Sequence, residues 1–196
     1  MSAARQCLDA AMHHEQRWHR LNTRVVHMTP WFEVREDSVV RPDAVEDIYH
    51  HVVSPGSVTV VAVNDDDHVA VTRQWIYTHE ERQWRLPAGS IDKVDRDPRA
   101  AAERELAEET GARAEQWEQL GRVNGADSFT NHVDHVFLAT AVTMGLANRE
   151  GAEADLVVHW LPFDEALNLV ACGRIRHAGS VYGLLSTGLR RNTERR

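Results

Sequence analysis

The sequence predicts an α/β sandwich, with a mixed central sheet between helices and an antiparallel sheet ahead of it. Three observations lead there. The run Val58-Thr59-Val60-Val61-Ala62-Val63 is nearly all apolar, as a central strand covered on both faces would be. After it, strand-like and helix-like segments interleave. Before it, three strand-like segments follow one another with only turns between them. The chain has 196 residues, 42% of them apolar, which suits one large domain or one domain with an extension. The expected division is a helical extension at 1–21, antiparallel strands at 22–56 and the main domain at 57–196.

The elements follow in order. Residues 2–17 are Ala-rich and polar and suit a short helix, with Trp18 and Leu21 docking it. Arg24–Met28, Trp31–Val40 and Asp47–Val53 are rich in β-branched and aromatic residues and read as strands, divided by Thr29-Pro30 and Arg41-Pro42-Asp43. Ser54-Pro55-Gly56 is a turn. Ser57–Val63 and His68–Trp75 flank Asn64-Asp65-Asp66-Asp67, which predicts a hairpin. Trp84–Leu86 is a short strand stopped by Pro87. Asp97-Pro98 is an N-cap followed by proline at the first helical position, and Gly111 is a C-terminal stop, so a helix is expected over Pro98–Thr110.

Trp117–Asn124 and Val133–Val142 are two further strands joined by a loop at Gly125–His132. Thr143–Ala154 is a polar loop, and Leu156–Leu161 another strand. Phe163–Cys172 reads as a helix burying Ala166, Leu167, Leu169 and Val170 and ending at Gly173. His177–Leu189 reads as a last helix with Val181, Leu184, Leu185 and Leu189 inward.

The net charge of −8 argues against nucleic-acid and membrane-surface partners, because no basic excess is available to neutralise phosphates. A small phosphorylated substrate stays open, since a bound cation adds local positive charge. No apolar run approaches the ~20 residues of a membrane span. Two distant cysteines, Cys7 and Cys172, and an N-terminus without a signal-peptide core predict a cytoplasmic setting. The twelve histidines form no HExxH pattern and read mostly as structural.

The chemistry concentrates in Gly89–Ala112. Glu105, Glu108 and Glu109 fall at i, i+3 and i+4 of the expected helix, on one face. Carboxylates so close repel. Either the face is solvated, or a divalent cation binds there, and oxygen-only ligands suit Mg²⁺ or Mn²⁺.

Arg104-Glu105-Leu106-Ala107-Glu108-Glu109-Thr110-Gly111-Ala112, behind Leu86-Pro87-Ala88-Gly89, resembles the signature of the Nudix hydrolase family. That signature is a Gly, five residues, a Glu, seven residues, then Arg-Glu-U-x-Glu-Glu-x-Gly-U, with U aliphatic. The first half departs from it. Gly89 lies one residue further from Arg104 than the pattern requires, and the first acidic position falls at Asp95 or, counted from the helix, at Arg96. Val71-Thr72-Arg73-Gln74-Trp75, Val136-Phe137-Leu138-Ala139 and Trp160-Leu161-Pro162-Phe163-Asp164-Glu165-Ala166 extend the resemblance to the ADP-ribose pyrophosphatase branch. Ile76 and Arg85 stand where that branch often has Arg and Glu.

The resemblance implies the Nudix fold with an N-terminal sheet that builds a homodimer. It implies metal-dependent hydrolysis of a diphosphate bridge in a small-molecule nucleotide, ADP-ribose or a related nucleotide sugar. Glu105, Glu108, Glu109 and the Ala88 carbonyl would hold Mg²⁺ or Mn²⁺, and Arg104 would orient the first acid. A general base would come from the loop carrying Glu150, Glu153 and Asp155, with Glu153 favoured. On the N-terminal sheet, Trp31 and Phe32 suit either stacking on the substrate's base or sugar or burial at a subunit interface. Arg73 and Arg85 would bind phosphate or sugar, and Ser128, Asn131 and His132 lie in the loop where the branch meets the terminal ribose. Two alternatives stay open: UDP- or GDP-sugars, coenzyme A or nucleoside triphosphates as substrates, or a domain that senses a nucleotide without cleaving it.

Overall fold

The computed structural model describes residues 17–147, 151 and 154–194. The helix expected over 2–17 lies outside them, apart from its last residue. The chain divides into two compact units, one of residues up to 54 together with Ser128–Thr130, the other of the rest.

In the N-terminal unit, β1 (His19–Met28), β2 (Glu33–Val40) and β3 (Glu46–Val53) form an antiparallel sheet in that order. The strand reaches back to His19, so the helical extension expected through residue 21 does not hold there. Leu21 belongs to β1, and Trp18 packs edge-on against Tyr49 with ring centroids 5.5 Å apart. β2 begins two residues later than expected. Thr29 Oγ1 accepts the N–H groups of Trp31 (3.2 Å) and Phe32 (3.0 Å), and this local turn takes both aromatics out of the ladder. Tyr49 Oη donates to the Ser128 carbonyl at 2.5 Å, and Val52 N donates to the Phe129 carbonyl at 2.9 Å.

The second unit carries two sheets. One is mixed, in the order β7-β4-β9-β8: β7 (Ala88–Ser90), β4 (Ser57–Ala62), β9 (Val133–Met144) and β8 (Ala112–Asn124). Within it β4 and β9 run parallel. The other is antiparallel, in the order β10 (Val157–Pro162), β5 (His68–Ile76), β6 (Glu81–Arg85). The hairpin expected between β4 and β5 does not form as a shared ladder. One bridge, Val63 to Val69, joins them, and then each strand enters a different sheet. The Asn64–Asp67 turn signal is real: Asn64 Oδ1 accepts from Asp66 N and His68 N. Beyond the turn, pairing with β9 and with β10 competes successfully for the two strands.

β4 is covered on both faces, as its composition predicts. Val58, Val60 and Ala62 join Ala101, Ala102, Leu106 and Phe137 in one core layer. Val61 and Val63, on the alternate face, join Leu86, Val136, Phe163 and Leu184 in another. Among the described residues the α-helices are α1 (Pro98–Thr110), α2 (Phe163–Ala171) and α3 (Ala178–Glu194). α3 corrects one expectation. Leu185 and Leu189 are exposed, at 47% and 70%, rather than inward. The buried face is instead Ser180, Gly183, Leu184 and Thr187. A Cβ on Gly183 would come within 2.7 Å of Val61, so the helix approaches the sheet closely at that glycine and turns Leu185 and Leu189 outward.

Candidate active site

α1 is built to present carboxylates inward. Asp97 Oδ1 caps it by accepting from Ala100 N at 2.8 Å, and Pro98 supplies a helical φ at the first position. Gly111 ends it at φ +76°, a left-handed conformation that costs glycine little. The small Ala101 and Ala102 and the buried Leu106 draw the helix onto the sheet. That same face carries Glu105 and Glu109, only 7% and 4% exposed, while Glu108 is half-buried beside them.

Gly89 on β7 lies directly under Glu105. A Cβ there would stand 2.1 Å from the Glu105 carboxyl carbon, so only glycine leaves room for the carboxylate. Ala88 N donates to Glu109 Oε2 at 3.3 Å, which brings the β7 backbone against the same face.

Arg104 ties the lengthened loop to the helix. Its Nε and Nη2 donate to the two oxygens of Asp95 at 3.2 and 2.9 Å, and Nη2 also donates to the Ser90 carbonyl at 2.9 Å. Nη1 donates to Glu105 Oε1 (2.8 Å) and Glu108 Oε2 (3.0 Å). Of the two positions that counting leaves for the first acid, Asp95 holds the arginine, whereas Arg96 is exposed and pairs with Asp97 at 3.5 Å. The extra residue therefore lies after the acid, in the approach to the helix cap. The Arg104 hydrogen bonds hold the Asp95 carboxyl below the usual carboxylate range, and Asp95 in turn raises the Arg104 guanidinium further.

The donor set fits a hard divalent cation: two buried carboxylates, a third at the rim and a main-chain carbonyl nearby, all oxygen. Among the described residues no three His, Cys, Asp or Glu side chains are grouped tightly enough to hold a metal ion by themselves. The oxygens are turned toward Arg104 and Ala88 N, and a cation of this kind keeps several waters or substrate oxygens in its shell.

Arg85, next to Leu86-Pro87-Ala88-Gly89, is half-buried. Burial pushes its guanidinium down, and the carboxylates of Glu109, Asp134 and Glu105 push it back up, so all three are within electrostatic reach. Its Nη2 lies 3.4 Å from His177 Nε2, and its Nε is buried with no hydrogen-bond partner. His132 is drawn to the same place: Ser57 Oγ sits 2.9 Å from its Nε2, and it lies within electrostatic reach of His177. Arg73 is elsewhere. Its neighbour Thr72 pairs with Arg85, so Arg73 points from the opposite face of the strand, with its guanidinium 5.4 Å from the Trp84 ring centroid.

Trp31 and Phe32 are exposed in the N-terminal unit, as is Ser128, whose carbonyl takes the Tyr49 hydroxyl. Asn131 lies in the second unit. Glu150 and Glu153 fall outside the described residues. Asp155, the remaining loop acid, is held structurally: Trp75 N donates to it at 2.9 Å and Arg82 pairs with it at 3.1 Å.

Sequence reasoning missed Asp134, Thr59, His177 and Ser180. Thr59 Oγ1 donates to the buried Asp134 Oδ2 at 2.7 Å. A Cβ on Gly179 would stand 1.8 Å from that oxygen, so the carboxylate rests on the first turn of α3, where the helix dipole favours it. Strand alternation carries the signal: Asp134 shares a face with buried Val136, and an inward Asp in an apolar strand marks a site.

These features define a class. Residues 53–181 match the NUDIX domain, and the chain belongs to the Nudix family: it is a hydrolase of nucleoside diphosphates linked to another moiety. Its family generally uses divalent metal ions. More particularly, residues 18–52 match the nucleoside diphosphate sugar hydrolase N-terminal domain. The chain is 30% identical over 176 residues to an ADP-ribose pyrophosphatase of Mycobacterium tuberculosis, covering 88% of this chain and 84% of that protein. It is 29% identical over 171 residues to a CMP-5'-(N-acetyl-N-hydroxy-3-aminopropyl)phosphonate hydrolase of Streptomyces rubellomurinus, covering 87% and 82%. A crystal structure described as an ADP compounds hydrolase has the same fold, with TM-score 0.79, 20% identity and coverage of 91% and 96%.

Proposed function

We propose that this hydrolase cleaves the diphosphate bridge of ADP-ribose or a related nucleotide sugar, releasing a nucleoside monophosphate and a sugar phosphate. The observation that carries the reading is the burial of Glu105 and Glu109 on one face of α1, over a Gly89 with no room for a side chain. Mg²⁺ or Mn²⁺ at Glu105, Glu108, Glu109 and the Ala88 carbonyl would stabilise charge on the phosphate oxygens and acidify the attacking water. Arg104, held by Asp95, orients Glu105 and Glu108. Arg85 and His132 take the substrate's phosphate or sugar, Trp31 and Phe32 offer aromatic faces for the base, and Ser128 and Asn131 complete the substrate set, whereas Arg73, on the opposite strand face over Trp84, is left out of it. Glu153 is the proposed general base, a reading favoured by the engagement of Asp155 with Trp75 and Arg82.

We also propose a homodimer built through residues 22–56, supported by exposed Val25, Val26, Met28 and Ile48 on that sheet. A cytoplasmic location accords with the low cysteine usage. Among the described residues no helix is long and apolar enough to cross a membrane.

A second reading keeps the chemistry and changes the nucleotide. The CMP-phosphonate hydrolase is almost as similar as the ADP-ribose pyrophosphatase, so the fold alone does not set the base or the distal group. The test is a Mg²⁺ panel of ADP-ribose, UDP- and GDP-sugars, CMP-linked phosphonates and coenzyme A, scored by the mononucleotide released. ADP-ribose should give the highest kcat/KM. A higher value for a CMP or UDP compound would replace the substrate while keeping the reaction, and tight binding without turnover of any member would make the chain a sensor.

A further inference from the structure

We propose that His177 is a positioning residue, whose imidazole, locked by Ser180, holds the Arg85 guanidinium available to the substrate's anionic groups rather than to the site's own carboxylates. The inference rests on the reading of Arg85 as a substrate-binding residue.

Arginine has only donors, so the 3.4 Å contact between Arg85 Nη2 and His177 Nε2 requires a lone pair on Nε2. The ring proton of a neutral imidazole then sits on Nδ1, which faces Ser180 Oγ at 3.0 Å and donates to it. Ser180 Oγ also accepts the Leu86 N–H at 2.9 Å, so both its lone pairs are used and its position is set by the strand that carries Arg85. Ser180 is fully buried, and His177 stands immediately before α3, whose first turn is fixed by Val181 N donating to the His177 carbonyl at 2.9 Å. The relay is thus anchored at both ends by backbone. Burial and the Arg85 charge push the His177 pKa down to about 3, which keeps the ring in the form the contact needs.

The electrostatics explain why a neutral acceptor matters. Glu109, Asp134 and Glu105 all attract Arg85. A guanidinium free to swing would pair with one of them, as Arg104 does with Glu105 and Glu108, and would cancel charge that a cation needs. His177 engages Nη2 without neutralising it. The positive charge then remains for an anionic substrate group. An Asp or Glu at position 177 would do the opposite.

The experiment measures kcat and KM for the panel substrate with the highest kcat/KM, in Mg²⁺, for R85Q, H177Q, H177D, H177L and each His177 variant combined with R85Q. Losing a hydrogen bond or pairing partner on a charged group is worth about tenfold in binding or more. R85Q should raise KM about tenfold or more, which tests the reading of Arg85 itself. H177L and H177D should raise KM about tenfold with a smaller change in kcat, H177Q should stay within about threefold because it keeps a neutral acceptor, and all three effects should vanish in the R85Q background. Should H177L fail to fold, the contrast between H177Q and H177D carries the test. A costly R85Q with silent His177 variants would overturn the positioning role and leave Arg85 standing. His177 effects undiminished in the R85Q background would make the histidine merely structural, and a silent R85Q would remove both ideas.

Discussion

Two arginines stand among carboxylates in the catalytic unit, and they are held in opposite ways. Arg104 is saturated: both Asp95 oxygens, the Ser90 carbonyl, Glu105 and Glu108 all accept from it. Arg85 is held at one nitrogen by a histidine, and its Nε has no partner. A guanidinium with every donor engaged is a scaffold, fixing the side chains around it. One engaged by a neutral group keeps its charge for something else. On the proposed reading of Arg85, the difference separates the acidic wall, which Arg104 organises, from the part of the site assigned to the substrate. Charge type alone could not have divided them.

Breaking the acidic wall should have the largest effect. Glu109→Gln, or Glu105→Gln, keeps shape and burial while removing the charge a cation requires, and kcat should fall about 10²–10³-fold. The melting temperature should stay within a few degrees. A folded variant with near-normal kcat would remove the metal face from the mechanism. Asp95→Asn comes next. It keeps the shape of the acid but loses its charge and one of its two acceptors for Arg104, so Glu105 and Glu108 are less well oriented. A loss of about tenfold in kcat is expected, carried by the charge-assisted bonds that Asn cannot replace. If Asp95→Asn were silent and Arg96→Ala costly, the assignment of the first acid would be reversed.

The sequence made α1 legible almost to the residue, because its cap, its Pro98 and its Gly111 are local signals. It did so although the inward face mixes Ala and Leu with Glu105 and Glu109, which blurs the apolar stripe that usually marks a helix. The resemblance named the acid, and the structure chose Asp95 over Arg96, since loop length alone leaves both open. What stayed illegible is non-local. The split of β4 and β5 into different sheets depends on β9 and β10, far along the chain. The Arg85–His177 contact joins residues 92 positions apart, and nothing at either end announces it. Leu185 and Leu189 misled for a related reason: their spacing is helical, but Gly183 lets α3 approach on a different face. Trp31 and Phe32 left the expected strand because one hydroxyl, Thr29, captured their N–H groups.

The smallest effect tests the Arg85 side through stability rather than rate. The folded His177 pKa, about 3, lies below its ordinary 6.5. Between those values the unfolded chain binds a proton that the folded chain refuses. The stabilisation is therefore fully present above pH 6.5 and is lost as the pH falls toward 3. Asp95 is lowered as well, but its contribution is complete above the ordinary aspartate value of 3.8 and is lost only below it, so it does not shape the range from 6.5 to 4. His135 does, since burial and Arg122 lower it in the same direction. Melting temperatures from pH 7 to pH 4 should fall less steeply for H177Q than for the parent chain, and an H135Q control should remove only its own share. A slope unchanged by H177Q would mean that the histidine titrates alike in both states. A ring that accepts a proton so readily cannot be the fixed acceptor that Arg85 needs, and the contrast between the two arginines would then lose its basis.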